Sequence, residues 1–227
     1  MKFVHQTYSA LALFLRPSEK PDTLKLTLFV GAALLSYISM LYTLALVWYA
    51  QEESAAFHWF DDSMEWRLCD KLGHAYIAFI ECRIANNLFR WCGLRHQRSL
   101  LYSFILAFTF QSGYEVLDGF AAAYGASIYD IIANALGALL VVIQFYLFKK
   151  IIASFKFNFF LSEYAVLRPG LLGDNLLTRC IKDYNGQTYW ISINVQDLLR
   201  STLLPKWLML SIGYGGDGLV GGHDNIW

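Results

Sequence analysis

Charge is what this sequence has least of. Only 16% of its 227 residues are charged and 56% are hydrophobic, against about 25% charged residues in an ordinary soluble domain. With a positive mean hydropathy, a membrane class is expected. Neither sign of charge dominates: 18 Lys and Arg balance 18 Asp and Glu. No chain-wide basic field is available to hold nucleic acid phosphates, which sets nucleic-acid binding aside. Cysteine is sparse, and Cys69, Cys82, Cys92 and Cys180 form no CxxC pair and have no His at finger spacing. Neither a zinc finger nor a disulfide framework is indicated, so buried or interfacial thiols are expected. The first apolar run, Leu26 to Ala50, is too long and begins too far from Met1 to be expected as an ordinary secretory signal peptide. It reads as a retained span, with cleavage after Trp48-Tyr49-Ala50 as the other outcome.

A membrane-crossing helix needs about 20 largely apolar residues to span about 30 Å of hydrocarbon. Leu26 to Tyr49 satisfies this outright, and Leu100 to Phe120 and Ile131 to Phe148 do so with a few polar residues inside. Leu72 to Phe89 is marginal, since it holds His74, Glu81, Arg83, Asn86 and Asn87; such a segment must face its neighbours rather than lipid. Flanking charges alternate. Lys2, Arg16, Lys20 and Lys25 precede the first run, and Glu52, Glu53, Asp61, Asp62 and Glu65 follow it. Arg90, Arg95 and Arg98 follow the second, and Lys149, Lys150 and Lys156 follow the fourth. The positive-inside rule then predicts four crossings with both termini cytoplasmic and Gln51 to Cys69 and Gly119 to Ser127 outside.

That topology gathers polar residues at one end. Asp70 and His74 lie four apart at the outer end of the second helix, with Lys71 between them. Glu115 and Asp118 close the third helix, with Gln111 one turn deeper. Asp130 and Asn134 open the fourth, with Ser127 placed as N-cap and Gly137 continuing the face. Residues three or four apart share a helix face, so three helices contribute polar pairs at one depth. An imidazole with several carboxylates and an amide suits a divalent metal such as Zn, Mn or Mg, with His74, Glu115, Asp118 and Asp130 as candidate ligands. It equally suits a general acid/base pair of His74 tuned by Asp70 or Glu115. Two further readings stay open: a polar network that fixes helix register, and ion or proton conduction by an oligomer. Transport by alternating access is disfavoured by the lack of an internal repeat or interrupted helix pair.

The strings Asp70-Lys71-Leu-Gly-His74, Glu115-Val-Leu-Asp118-Gly119 and Ser127-Ile-Tyr-Asp130-Ile-Ile-Ala-Asn134-Ala-Leu-Gly137 resemble the YfiM-like family of uncharacterised bacterial envelope proteins. Their order is also similar, more distantly, to that of VanZ-like membrane proteins, although Glu115-x-x-Asp118 stands where those often have E-x-x-Q. The resemblance covers roughly Phe60 to Leu147 and implies a bacterial envelope setting. The segment beyond Lys150 resembles Bacteroidetes-type members, which typically run on past the Gly-rich stretch, so a short or truncated chain is expected.

The expected architecture is an all-α membrane protein: a bundle of about four transmembrane helices with a small mixed carboxyl-terminal appendage. Residues 1–25 form a cytoplasmic or interfacial segment, 26–50 the first span, 51–69 an acidic, aromatic outer loop, 70–148 a three-helix core, and 149–227 a region on the cytoplasmic membrane surface. Asn185-Gly186 before the alternating Tyr189 to Val195 predicts a short hairpin. The glycines from Gly213 to Gly222 lack the Lys-Ser/Thr of a phosphate loop and are expected to be turn-rich. The expected setting is the bacterial inner membrane. The expected partners are the lipid bilayer and a lipid-linked or peptidoglycan-related envelope component, with His74, Asp70, Glu115 and Asp118 acting and Lys71, Asp130, Asn134 and Gln111 binding.

Overall fold

The computed structural model describes residues 12, 14–46, 53–223 and 225. Most of the apolar patch from Tyr8 to Leu15, the end of the first apolar run and the Trp48-Tyr49-Ala50 stretch lie outside the described residues. Helix α1 runs Thr23–Leu44, and its N-cap Asp22 accepts a hydrogen bond from the Lys25 amide. Lys25 is buried because its ammonium donates to Arg16 O (2.6 Å) and Ser18 Oγ (2.9 Å) and sits over the Trp91 ring.

Three further long helices follow: α2 (Cys69–Trp91), α3 (His96–Asp118) and α4 (Ile128–Phe148). Helix α2 lies between the other two, and the shared core is Ala78, Phe79, Cys82, Ala107, Ala138 and Val141. Small residues make the approach of α2 and α4 close: a Cβ on Gly137 would lie 2.0 Å from the Ala75 carbonyl oxygen. Helix α1 is the outlier, almost wholly exposed and touching the bundle through Leu26 and Phe29 near Phe89 and through Tyr37 stacked on Phe110. Helices α1, α3 and α4 are long and apolar enough to cross a membrane, and α2 is not. The charged and amide side chains of α2 lower its hydropathy, so the expected four spans stand as three candidate spans with a polar helix between two of them.

Up to Phe148 the described loops fall into two groups, one at each end of the bundle. The Ser18 and Asp22 amides donate to Trp91 O and Cys92 O, and His96 Nε2 donates to Phe145 O, which joins the amino-terminal segment, the α2–α3 turn and the end of α4 at one end. At the other end, the loop after α1 is bridged to the α3–α4 loop at Ser54–Ala121 and Trp59–Ala126.

The carboxyl-terminal region departs from expectation. Strands β1 (Ala153–Phe159), β2 (Gln187–Asn194) and β3 (Met209–Gly215) form one antiparallel sheet in that order. Asn185-Gly186 is no hairpin turn: it ends a 3-10 turn entering β2, whose Gln187 pairs with Phe159 across a connection of short helices. The sheet lies along the flank of α2, with Phe155, Phe157 and Tyr189 packed on Tyr76, and Phe155 on Phe79. Its opposite face carries Ser154, Lys156, Asn158, Thr188 and Ser192 in register, with the exposed Trp190 among them opposite Lys156. Gln144 of α4 holds the start of β1 by accepting from the Ile152 and Ala153 amides. From there the strands climb back, so that Tyr184 and Gly216 meet Asp70 and Cys69. An exocytoplasmic cluster and a cytoplasmic carboxyl-terminal region were expected at opposite ends, and the structure puts Tyr184, Gly216 and the 3-10 turn at the cluster's end.

Candidate functional site

Helical spacing presents Asp70 and His74 on one face of α2, and Asp130 and Asn134 on the facing side of α4. The His74 ring stands 3.9 Å from Asp70 Oδ1, 3.9 Å from Asp130 Oδ2 and 3.7 Å from Glu115 Oε1. Its Nδ1 is 3.3 Å from Asn134 Oδ1. Donor atoms of Asp70, His74 and Asp130 all lie within 4.8 Å of one another. His74 and Asp70 each keep about a fifth of their side-chain surface exposed, so the group is reachable from outside. Behind it, Glu115 and Asn134 are fully enclosed, and Glu115 Oε1 and Asn134 Nδ2 have no hydrogen-bond partner. Buried polar atoms are nearly always satisfied, so these two are available to a ligand, as Glu81 Oε2 and Ser112 Oγ are deeper in the bundle.

The outer half is satisfied. The Lys71 ammonium pairs with Asp62, with Asp70 at 3.0 Å and with Asp130 at 2.9 Å. Ser127 donates to Asp62 Oδ1 (2.5 Å), its amide donates to Glu115 Oε2 (3.1 Å), and its Oγ caps α4 by accepting from the Tyr129 and Asp130 amides. Asp62 escaped the sequence reading because a loop residue has no periodicity; the only signal was its place in the acidic run after α1.

The chain enters α2 through a strained turn. Trp66, Arg67 and Leu68 have φ of 49°, 51° and 66°, a left-handed conformation that disfavours L side chains. Contacts from the carboxyl-terminal segment hold it: Tyr214 OH donates to Arg67 O and the Trp66 amide donates to Gly222 O. Tyr184 OH donates to Asp70 Oδ1 (2.6 Å). Burial and the neighbouring Asp70 carboxylate push the Tyr184 phenol well above its ordinary range, so it stays a donor. Burial also raises the Glu65 carboxyl in this turn, and His223 nearby offsets part of that shift. Asp224 lies outside the described residues, and Asn225 Oδ1 caps the Val220 and Gly221 amides.

Two expected site residues sit elsewhere. Gln111 is buried but hydrogen-bonds to Glu81, deeper in the bundle, because one turn along α3 carries it past His74. Asp118, at the end of α3, is not in the donor group of Asp70, His74 and Asp130. The structure thus brings together Asp70, Lys71, His74, Glu115, Asp130 and Asn134, and adds Asp62, Ser127 and Tyr184.

The class is a helical bundle with candidate membrane helices and a polar cluster at one end. Residues 57–146, which contain most of this site, match the model of a family described as a predicted periplasmic lipoprotein (DUF2279). The match supports kinship with an uncharacterised envelope family and does not extend to the YfiM-like or VanZ-like names. No curated protein and no solved structure matches the chain.

Proposed function

We propose that this is a multi-pass protein of the bacterial envelope whose Asp70, His74 and Asp130 hold a divalent metal ion, at which a lipid-linked or peptidoglycan-related component is bound or processed. The spacing around His74 carries the reading. Hydrogen-bonded groups approach to about 2.7–3.2 Å, whereas two ligands each about 2.1 Å from a tetrahedral ion lie about 3.4 Å apart. The imidazole Nε2 stands 3.9 Å from both Asp70 Oδ1 and Asp130 Oδ2, too far for a hydrogen bond and near the separation of groups that share an ion, while Nδ1 on the other side of the ring faces Asn134 and Glu115 at 3.3 and 3.7 Å. Charge points the same way. Asp62, Asp70, Glu115 and Asp130 face one ammonium and one imidazole, and low-dielectric surroundings penalise the excess. A bound divalent ion would polarise a phosphoryl or carbonyl oxygen and sharpen a bound water as nucleophile. Glu115 Oε1 and Asn134 Oδ1, on the Nδ1 side of the ring, would orient the imidazole so that Nε2 faces the ion. Lys71, Asp62 and Ser127 fix the register of α2 against α4, so the register-network reading holds for the outer half.

On this reading α2 crosses with its neighbours. Its 23 residues extend about 34 Å at 1.5 Å per residue, enough for a bilayer. An open strand edge is not stable against lipid, so the β3 side of the bundle faces water or protein.

The test is the melting temperature of the purified, detergent-solubilised chain after chelation and after adding Zn or Mn. Saturation at 100 times the dissociation constant contributes about 2.7 kcal/mol, a rise on the order of 5–10 °C for a chain this size. The rise should vanish in His74→Ala. Equal melting with and without metal would leave the cluster as a structural network.

A further inference from the structure

At the other end of the bundle is a cavity of about 470 Å³ lined by Asn86, Asn87, Arg90, His96, Phe145 and Lys149. We infer that it takes a phosphate group carried by an anionic lipid headgroup. Three of its six lining side chains are cations or a protonatable imidazole, and no carboxylate is among them. The nearest basic neighbour in the chain, Lys150, is committed to Asp197 at 2.5 Å, which leaves Arg90 and Lys149 to the cavity. Among the described residues Arg90 donates to Leu94 O, and Lys149 donates to Tyr146 O and lies over the Tyr146 ring, contacts that do not neutralise either charge. The inner wall is a fixed donor. Asn86 is 1% exposed, and its carboxamide oxygen accepts from Ser99 Oγ (2.8 Å), so its amide nitrogen is the end available to an acceptor. His96 is held in place by Nε2 donating to Phe145 O (3.1 Å).

Guanidinium and amide donors from α2 and an ammonium at the end of α4 match the several oxygens of a phosphate better than a single carboxylate. The position selects the carrier. Arg90 lies 20 residues along α2 from Asp70, about 30 Å at helical rise, which is the thickness of the hydrocarbon layer. The cavity therefore opens where headgroups lie, beside the exposed apolar side chains Ile84, Leu147 and Phe148 that acyl chains can cover. Basic pockets between membrane helices are suited to such headgroups. The inference rests on the proposed crossing of α2 and does not depend on a metal at His74.

Native mass spectrometry of the whole chain, released from micelles doped with phosphatidylglycerol or with phosphatidylcholine, tests it. The expected result is one phosphatidylglycerol retained per chain in preference to phosphatidylcholine. Retention should weaken roughly thirtyfold in Arg90→Gln/Lys149→Gln and be restored in Arg90→Lys/Lys149→Arg. Arg98→Gln, at the same end but outside the cavity, should change it by about twofold or less. A second arm titrates inorganic phosphate at constant ionic strength: displacement of the lipid at millimolar phosphate keeps the phosphate chemistry and assigns the site to a soluble carrier. Equal retention of both lipids, or equal loss in Arg98→Gln and the double variant, overturns the proposal.

Discussion

Gly137→Ala is the sharpest probe of how the bundle holds its site. The added Cβ would stand 2.0 Å from the Ala75 carbonyl oxygen, 2.7 Å from its carbon and 2.8 Å from its Cα. All three are backbone atoms, so no side chain can swing aside, and α2 and α4 must separate by about 1 Å or more to reach ordinary contact distance. Overpacking of this kind costs about 1–3 kcal/mol, or roughly 2–12 °C in melting temperature for a chain of this length. The consequence reaches the site, because Ala75 follows His74 and Gly137 is one turn from Asn134, whose 3.3 Å contact must lengthen. Gly31→Ala is the control: nothing lies within 4 Å of its Cβ position, and the better helix propensity of Ala makes it neutral or stabilising by up to about 1 kcal/mol. Scanning fluorimetry in one detergent compares them. Coincident melting of Gly137→Ala and the unmodified chain would refute the close α2–α4 approach.

Two other perturbations follow from the same contacts. Lys71→Met leaves Asp62, Asp70 and Asp130 without their shared cation; removing one partner of a buried ion pair costs about 3–5 kcal/mol, so the amount of folded protein should fall sharply, whereas undiminished yield would show that the carboxylates do not need it. Glu65 is raised by burial above its ordinary value, with His223 offsetting part, so the folded state binds its proton more tightly than the unfolded chain. Its contribution favours folding at acid pH and is lost as pH rises through the folded value. Glu65→Gln should therefore raise the melting temperature at pH 7 and leave it unchanged near pH 3; a lowered melting temperature at pH 7 would show that the His223 contact outweighs burial.

Much of the site was legible because helices have a fixed period. Asp70 and His74, and Asp130 and Asn134, could be placed on single faces, and charge alternation put those faces at one end. Period alone does not give the rotation of one helix against another, which is why Gln111, one turn deeper on the stripe of Glu115 and Asp118, was grouped with the binding residues although it faces Glu81. Asp62 and Tyr184 come from irregular segments, and Tyr184 is 114 residues from the Asp70 it touches, a pairing that no local pattern encodes. The sheet was half visible. The alternation of Phe155, Phe157 and Phe159 is a strand signal as good as that of β2, but the short helices between β1 and β2 hide their pairing. The Asn185-Gly186 signal then favoured a local hairpin that the chain does not make. Helix α2 shows the opposite effect: its polar content lowers its hydropathy because α3, α4 and the sheet surround it.

The most direct measurement is the metal content of the purified chain by inductively coupled plasma mass spectrometry, alongside His74→Ala and Asp130→Asn. The account predicts about one divalent ion per unmodified chain and well under half of that in either variant, with all three equally folded by circular dichroism. A metal content near zero in the unmodified chain, or one indifferent to both substitutions, would contradict it.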